Sequence, residues 1–543
     1  MARMKERVRV CVCCSGCFIC LIIIIIIIIC SRQQGCTEGS FPKAAVAADS
    51  LTCSNVGRDI LRSGGSAVDG AIAALICTSI INPQSMGIGG GVIFTIRESS
   101  GKVKIINARE RTPERFKPDL LSDCSEKTGV KWIGVPGEIR GYQRAHQLYG
   151  HLPWSSLFEP TIRLARAGVQ ISPLLSRLLF VLNGTNSPLR ELFSDPEGNL
   201  LKYGDTVRFQ KLADTLEKVA THGADEFYTG EIAHALVTDV QAAGGNLSLE
   251  DLRSYEVTEA DAWSIPLGGA TLSFILTVMQ GFKPNPASLR GDTRMLTYHR
   301  YVEACKFANG LKRFMKDPKF GSEKTKQKAA AIITAGFADQ VRMKIWDNMT
   351  HDAQYYSVTP HTDSQGTTHV SVLAEDGMAV SVTSSINFIF GSKVLSPRTG
   401  ILLNNQLADF CGQTDQINPG EQPPSSMSPS ILYSPMKKHT LVIGASGGSM
   451  ITTSVAMTLM NYLWFDKSLK DSIDSPVVFV DGENALKFEP KFDQDVVHNL
   501  QRLGHTVKTV PYFYNVVNAV SKHEGECVTA YSDTRKLGKA AGY

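Results

Sequence analysis

The chain has 543 residues, 43% of them hydrophobic and 20% charged, with 56 basic against 52 acidic side chains for a formal net charge of +4. That is ample apolar material for a large core, and the composition is too ordinary for a disordered or fibrous protein. The near balance of charge, with no long single-sign run, excludes a nucleic-acid binder built on a basic face.

Arg3, Lys5, Arg7 and Arg9 precede an uncharged stretch from Val10 to Ser31 whose centre is Leu21 and the isoleucine run Ile22 to Ile29. As a helix this stretch would be roughly 33 Å long, close to the ~30 Å hydrocarbon thickness of a bilayer. The cations ahead of it favour a type II arrangement at the plasma membrane: cytoplasmic tail 1–9, transmembrane signal-anchor 10–31, extracellular body from 32 onward. The rival is a cleaved signal peptide, for which the run is long and the A-x-A-like site is missing. Either reading takes the body out of the cytosol, and the sequons at Asn183, Asn246 and Asn348 agree with a secretory route. Cys11, Cys13, Cys14, Cys17 and Cys20 lie in or beside the anchor, as lipidation sites or as apolar filler. Cys53 and Cys77 are the best pair for a disulfide in an oxidising compartment. The body has no C-x-x-C pair with metal spacing, so no zinc is expected.

Residues 32–44 read as a polar stalk and Ala45 to Ala48 as a small apolar strand. Val56 to Leu61 and Ala67 to Ile80 read as helices broken by Gly64-Gly65, with Ser66 and Asp69 spaced to cap the second. Gly87 to Gly91 resembles a phosphate cradle, but a cradle leads into a helix and here the strand-like Val92-Ile93-Phe94 follows. The glycines therefore read as a close crossing of two backbones. Residues 138–345 are mainly helical and polar, and the basic stretch from Lys324 to Lys328 reads as solvated surface. From Thr367 the chain turns to alternating strands.

Two of those strands form a hairpin. His369 to Ala374 and Met378 to Thr383 flank Glu375-Asp376-Gly377, a three-residue loop ending in glycine, which accepts the left-handed conformation such loops need. If Ala374 pairs with Met378, Thr367 lies opposite Ser385, with Asn387 on the same face two residues on. A threonine after Gly366 can become a new N-terminus if that bond is cut, and its own α-amine can then serve as base for its hydroxyl. Spacing alone favours a plain β-edge turn at Gly366-Thr367-Thr368.

In order along the chain come Asn82-Pro83-Gln84-Ser85-Met86, Asn107-Ala108-Arg109-Glu110, Gly366-Thr367-Thr368-His369-Val370-Ser371, Ser384-Ser385-Ile386-Asn387, Phe390-Gly391-Ser392, Gly400 to Asn405, Pro424-Ser425-Ser426-Met427 and Gly444-Ala445-Ser446-Gly447-Gly448. Together these resemble the gamma-glutamyltransferase (glutathione hydrolase) family over about Lys43 to Tyr543, with details leaning toward its animal type 5, leukotriene-cleaving branch. The resemblance implies an α/β fold, the αββα sandwich of N-terminal-nucleophile hydrolases. It implies a precursor cut between Gly366 and Thr367 into a large subunit, 32–366 of the body, and a small catalytic subunit, 367–543, that stay together as a heterodimer. Thr367 matches the nucleophile, Ser385 a supporting hydroxyl that is usually threonine, and Gly447 and Gly448 the oxyanion hole. Arg109, Ser425 and Ser426 match the groups holding the substrate's α-carboxylate; Asn387, Gln406 and Asp409 match those holding its α-ammonium. The implied substrates are glutathione and its S-conjugates, leukotriene C4 among them, with water or amino acids and peptides as acceptors and no metal or organic cofactor. Two departures stand out. Ile389 replaces a tyrosine, and about a dozen residues are absent near Pro266-Leu267-Gly268-Gly269-Ala270, a loss expected to remove a strand from a central sheet.

Rival readings remain. Gly444 to Gly448 satisfies G-x-S-x-G between a strand, Thr440 to Ile443, and a helix, Met450 to Trp464, and Asp481 and His505 follow in α/β-hydrolase order. An uncleaved paralogue acting as a surface binding protein is the other. His369 reads as strand packing, and His498 and His505 as surface residues.

Overall fold

The computed structural model describes residues 36–117, 119–261, 267–359, 366–509 and 516–543. The tail and membrane anchor expected at 1–31 lie outside these residues, and among those described no helix is long and apolar enough to cross a membrane.

The first elements are strands β1 (Ser40–Phe41) and β2 (Ala45–Ala47), helices α1 (Leu51–Arg62) and α2 (Ala67–Ile81), and strands β3 (Gly91–Arg97) and β4 (Val103–Ala108). Helix α3 (Glu138–Tyr149) opens a mainly helical stretch that reaches strand β5 (Thr258–Asp261) and helices α4 (Leu267–Gly281) and α5 (Gly291–Leu311). The C-terminal part holds the hairpin β6 (Thr368–Leu373) and β7 (Ala379–Ser385), then β8 (Ser430–Ser434), β9 (His439–Ser446), α6 (Ile451–Trp464), β10 (Val516–His523), β11 (Val528–Ser532) and β12 (Ala541–Gly542).

The strands form two antiparallel sheets, one of seven in the order β12-β2-β6-β7-β3-β4-β5 and one of five in the order β1-β11-β10-β9-β8. Alternation along the strands decides what faces what. On the large sheet Val92, Phe94, Ile96, Val370, Val372, Val380 and Val382 pack under α1 and α2 in one core. Helix α2 is buried almost all round, as its uniformly apolar sequence requires, and Ser66 and Asp69 close a capping box at its start. The intervening side chains face the second sheet and, apart from Ile93 and Leu373, are mostly small or polar. Ser371 donates to the Asn518 carbonyl and Ser381 to the Ile443 carbonyl, both at 3.0 Å. Ala45, Ala47, Leu373 and Ala379 meet Val442, Val520 and Ala530 in the same layer. The other face of the small sheet, with Leu441, Ile443 and Val517, packs on α4, α5 and α6. The order is helices, sheet, sheet, helices.

The glycine run crosses other backbone closely: a Cβ at Gly89 would overlap the Leu402 carbonyl oxygen and one at Gly90 that of Ser385. The abbreviated stretch lies between β5 and α4. Residues 262–266 are outside the described set, β5 is the edge of the large sheet, and the four strands β6, β7, β3 and β4 next to it are paired throughout. Disulfides join Cys53 to Cys77, Cys36 to Cys527 and Cys124 to Cys411.

Candidate active site

The hairpin takes the register its loop dictates. Thr368 pairs with Ser384 and Leu373 with Ala379, and Gly377 sits at φ 88° where the turn needs a left-handed residue. Thr367 therefore stands just before β6, opposite Ser385, and their hydroxyl oxygens are 3.1 Å apart. Both are buried. Three backbone bonds fix this end of the hairpin: Gly366 N–H donates to the Asn387 carbonyl at 2.7 Å, Thr367 N–H to the Ser85 carbonyl at 3.0 Å, and Asn387 N–H to the Ser385 hydroxyl at 2.8 Å. A side chain at position 366 would overlap the Asn387 carbonyl, so glycine must precede the threonine. Thr367 itself lies at φ 117°, a region a β-branched residue enters only under strain of about 1–3 kcal/mol.

Three distant segments meet beside this hydroxyl pair. Arg109, at the end of β4, donates through Nη2 to Asp409 Oδ2 at 2.7 Å and to the Pro424 carbonyl at 2.6 Å, and through Nε to the Pro423 carbonyl at 3.1 Å. Asp409 takes a second bond from Asn387 Nδ2 at 2.9 Å on its other oxygen. Burial raises the Asp409 pKa, and Arg109 and the two hydrogen bonds oppose that rise. Gln406 occupies the same one-turn helix, Gln406–Phe410, with its amide buried and neither amide atom hydrogen-bonded. Ser425 and Ser426 follow the two prolines that hold Arg109, and the Ser425 hydroxyl accepts from Met427 N–H at 3.1 Å. A guanidinium, a carboxylate and an open amide in one buried place suit a zwitterionic amino-acid head group. Asn387 spans from this cluster to the hydroxyl pair. Gly447 and Gly448, at φ 124° and 58°, carry the chain out of β9 toward α6, and Ser446 at the end of β9 is tied to the Thr367 carbonyl through Lys536.

A family model described as Gamma-glutamyltranspeptidase matches residues 53–543. The chain belongs to the gamma-glutamyltranspeptidase family. It is 43% identical to glutathione hydrolase 5 proenzyme of Homo sapiens, over 94% of this chain and 95% of that one. It is 34% identical to glutathione hydrolase proenzyme 1 of Schizosaccharomyces pombe, over 92% and 84%. Cephalosporin acylase from Bacillus halodurans shares the fold, with a TM-score of 0.81 at 23% identity over 93% of this chain and 96% of that one. The chain is thus an enzyme, a glutathione hydrolase; the family to which it belongs acts on glutathione and gamma-glutamyl substrates, and its members are processed into two subunits.

The G-x-S-x-G elbow of this gamma-glutamyltranspeptidase has the strand and helix the motif demands but no triad. Ser446 Oγ accepts from Lys536 at 2.8 Å, Asp481 pairs with Lys487 at 3.0 Å, and His505 is bonded to His299 and Lys306, both at 2.9 Å. Ser446→Ala is expected to lower turnover less than about tenfold, against the loss of about 10⁴-fold or more that removing a catalytic serine brings; steady-state rates on a gamma-glutamyl anilide check this.

His505 is buried, not at the surface, because the turn after helix Gln494–Arg502 tucks its ring beneath α5. Its Nε2 donates to His299 Nδ1, and its Nδ1 accepts from Lys306, whose ammonium also reaches the Thr350 hydroxyl at 2.5 Å. His299, Glu303 and His505 have the spacing of a metal-ligand set, but Lys306 completes it with protons: His299 Nε2 donates to the Trp346 carbonyl, and Thr350 and Tyr356 donate to Glu303. Burial holds the His505 pKa down at about 2 and the Lys306 pKa at about 8. His369 packs inside β6 as a neutral residue. Thr383 and Ser371 lie 2.8 and 3.0 Å from its ring nitrogens, and burial lowers its pKa to about 3.

Sequence reasoning missed several groups around the site. Glu110 and Glu138 are buried acids behind Arg109, pushed by burial to about 7 and about 8. Tyr255 donates to the Arg109 carbonyl at 2.7 Å. Asp49 and Lys536 form a buried pair at 2.8 Å. Glu110 lies in the motif that carries Arg109, but Glu138, Tyr255, Asp49 and Lys536 have no local motif; only the assembled sheets bring them to residues 109 and 367.

Proposed function

We propose that Thr367 is both the residue at which the precursor cuts itself and the nucleophile of the mature enzyme. The observation that carries this is the strained Thr367, its hydroxyl against Ser385 and its N–H on the Ser85 carbonyl. In the first stage the Thr367 hydroxyl attacks the Gly366 carbonyl carbon, the C–N bond breaks, and the ester formed is opened by water. Products are a Gly366 carboxylate and a free Thr367 amine. Cutting removes the peptide that forces φ positive, so the strain favours cleavage. In the second stage the Thr367 hydroxyl attacks the γ-carbonyl of glutathione while the α-amine takes its proton and passes it to the departing cysteinylglycine amine. The Gly447 and Gly448 N–H groups hold the oxyanion. Arg109 with Ser425 and Ser426 holds the α-carboxylate; Asp409, Asn387 and Gln406 hold the α-ammonium. Water or an acceptor amine then takes the gamma-glutamyl group.

The substrates extend to S-conjugates such as leukotriene C4. Past Cys411 a cavity of about 970 Å³ is flanked by Phe116, Leu120 and Phe314, with Arg313 and Lys316 alongside Asp119 and Asp415 in its lining, room for an apolar substituent. The body is extracellular, held by the 10–31 anchor, with exposed Asn183, Asn246 and Asn348 bearing glycans.

Cys36–Cys527 and Cys124–Cys411 each bridge residues on opposite sides of Gly366. The cut enzyme is therefore expected to run as one species on a non-reducing gel and as two after reduction and deglycosylation, the smaller starting at Thr367 by N-terminal sequencing. Only uncut chain under reduction, or a fragment starting elsewhere, sinks the cleavage reading; separation without reductant refutes the covalent link alone.

A further inference from the structure

A buried charge lies beneath the nucleophile. Lys536 ends the short turn Thr534–Lys536 near the C-terminus, and both it and Asp49 are fully buried. Its Nζ donates to the Thr367 carbonyl at 2.5 Å, to Asp49 Oδ2 at 2.8 Å and to the Ser446 hydroxyl at 2.8 Å. Asp49 also accepts from the Thr368 hydroxyl at 2.6 Å and, on Oδ1, from Asn518 Nδ2 at 2.7 Å. Asn518 reaches on to the His369 carbonyl at 2.7 Å. The pair thus joins β6, β9 and β10 at the point where Thr367 begins. As a device for stability alone it is poor, since packed apolar residues often serve a core as well or better.

We propose that Lys536 is a positioning residue for Thr367: it pins the Thr367–Thr368 peptide and sets a fixed positive charge beside the α-amine that cleavage creates. This rests on Thr367 being the self-cleaving nucleophile. In the precursor the Ser85 carbonyl holds the N–H of Thr367 and Lys536 holds its C=O, so the backbone on both sides of the attacking hydroxyl is fixed. In the mature enzyme the α-amine must be unprotonated to act as base. An ordinary α-amine has a pKa of about 7.7–8.0, and an adjacent cation favours its neutral form.

The other groups facing it do not supply that charge. Asp49, which binds Lys536 and the Thr368 hydroxyl, carries the opposite charge and opposes it. The hydroxyls of Ser385, Thr368 and Ser446 are uncharged, and burial keeps His369 neutral. Arg109 and Asp409 are paired with each other, with Glu110 behind them. Among the described residues, Lys536 is the charge bonded directly to residue 367. Its removal raises the amine's pKa, so the amine becomes free only at higher pH. The acid limb of the kcat/KM profile, which reports the free enzyme, moves up.

The test uses full-length protein purified from a secretory cell, assayed on a gamma-glutamyl anilide between about pH 5 and 9. Lys536→Arg keeps the charge, Lys536→Gln removes it, and Lys536→Gln with Asp49→Asn removes both charges while keeping donors and acceptors. The expected result is an acid limb raised by about one pH unit in Lys536→Gln, raised less in the double variant because the opposing Asp49 charge goes too, and unmoved in the Arg variant, with slower self-cleavage in the Gln variants. An unmoved limb in a matured Gln variant overturns the proposal. So does failure of all three variants to reach the cell surface, which makes Lys536 a folding residue only. Thr367→Ala runs in parallel. If it still cuts and turns over substrate, the nucleophile reading fails and takes this inference with it. If it is inert while the limb stays put, this inference alone fails.

Discussion

Thr367→Ala is expected to leave the chain uncut and to lower gamma-glutamyl anilide turnover by at least about 10³-fold. The alanine keeps the Cβ and the backbone bonds to Ser85 and Lys536, so the fold is expected to survive; the hydroxyl 3.1 Å from Ser385 is what disappears. No neighbouring group can replace it. Ser385 Oγ already accepts from Asn387 N–H, and Ser385 lies inside a continuous strand with no free amine to serve as base. Thr367→Ser keeps the hydroxyl and is expected to cleave and turn over at a reduced rate. Cleavage is read by blotting a C-terminal tag under reduction, turnover by initial rates, and folding by cell-surface arrival. A cut, active Thr367→Ala protein would move the nucleophile elsewhere and remove the basis for the two-stage mechanism. A folded but uncut parent chain would instead favour a surface binding protein.

What could be read in the sequence follows how local each cause is. The hairpin could, because a three-residue loop with Gly377 at its end fixes the pairing and the pairing fixes what faces Thr367. The glycine crossing at 87–91 could, because a glycine run entering a strand has few uses besides close approach. Arg109, Asn387, Gln406 and Asp409 could be grouped only through family resemblance, since nothing local says that residues 300 apart share one carboxylate. Two of the disulfides were missed because connectivity is not deducible from cysteine positions. His505 reads as surface because Arg502, Gly504 and Thr506 around it look solvated, yet α5 covers it with His299 and Lys306. Lys536, 169 positions from the carbonyl it binds, is an ordinary lysine in a small-residue tail until two sheets close over it.

Arg109→Met is expected to raise KM for glutathione by about 10²-fold or more, with a smaller effect on kcat. In the proposed binding mode the guanidinium holds the part of the substrate that does not change during reaction, so its contribution is nearly equal in ground and transition states, and such contributions appear in KM. The size follows from two losses at one place. The substrate's carboxylate loses a charge-assisted fork, and Asp409 loses its counter-ion while buried against Asn387; leaving one partner of such a pair alone costs about 3–5 kcal/mol. Part of that cost already falls on the free enzyme, where the Asp409 carboxylate, which burial disfavours, loses the guanidinium that opposes that effect. Arg109→Lys restores charge without the fork and is expected to recover only part of the loss. Asp409→Asn leaves Arg109 free for the carboxylate and weakens the ammonium end, so its defect is expected to be smaller and steepest for substrates with an intact α-amine. Kinetics on glutathione and on an N-acetylated gamma-glutamyl substrate separate the two. Equal defects on both substrates for Asp409→Asn would remove Asp409 from the ammonium site, and an unchanged KM for Arg109→Met would place the α-carboxylate elsewhere.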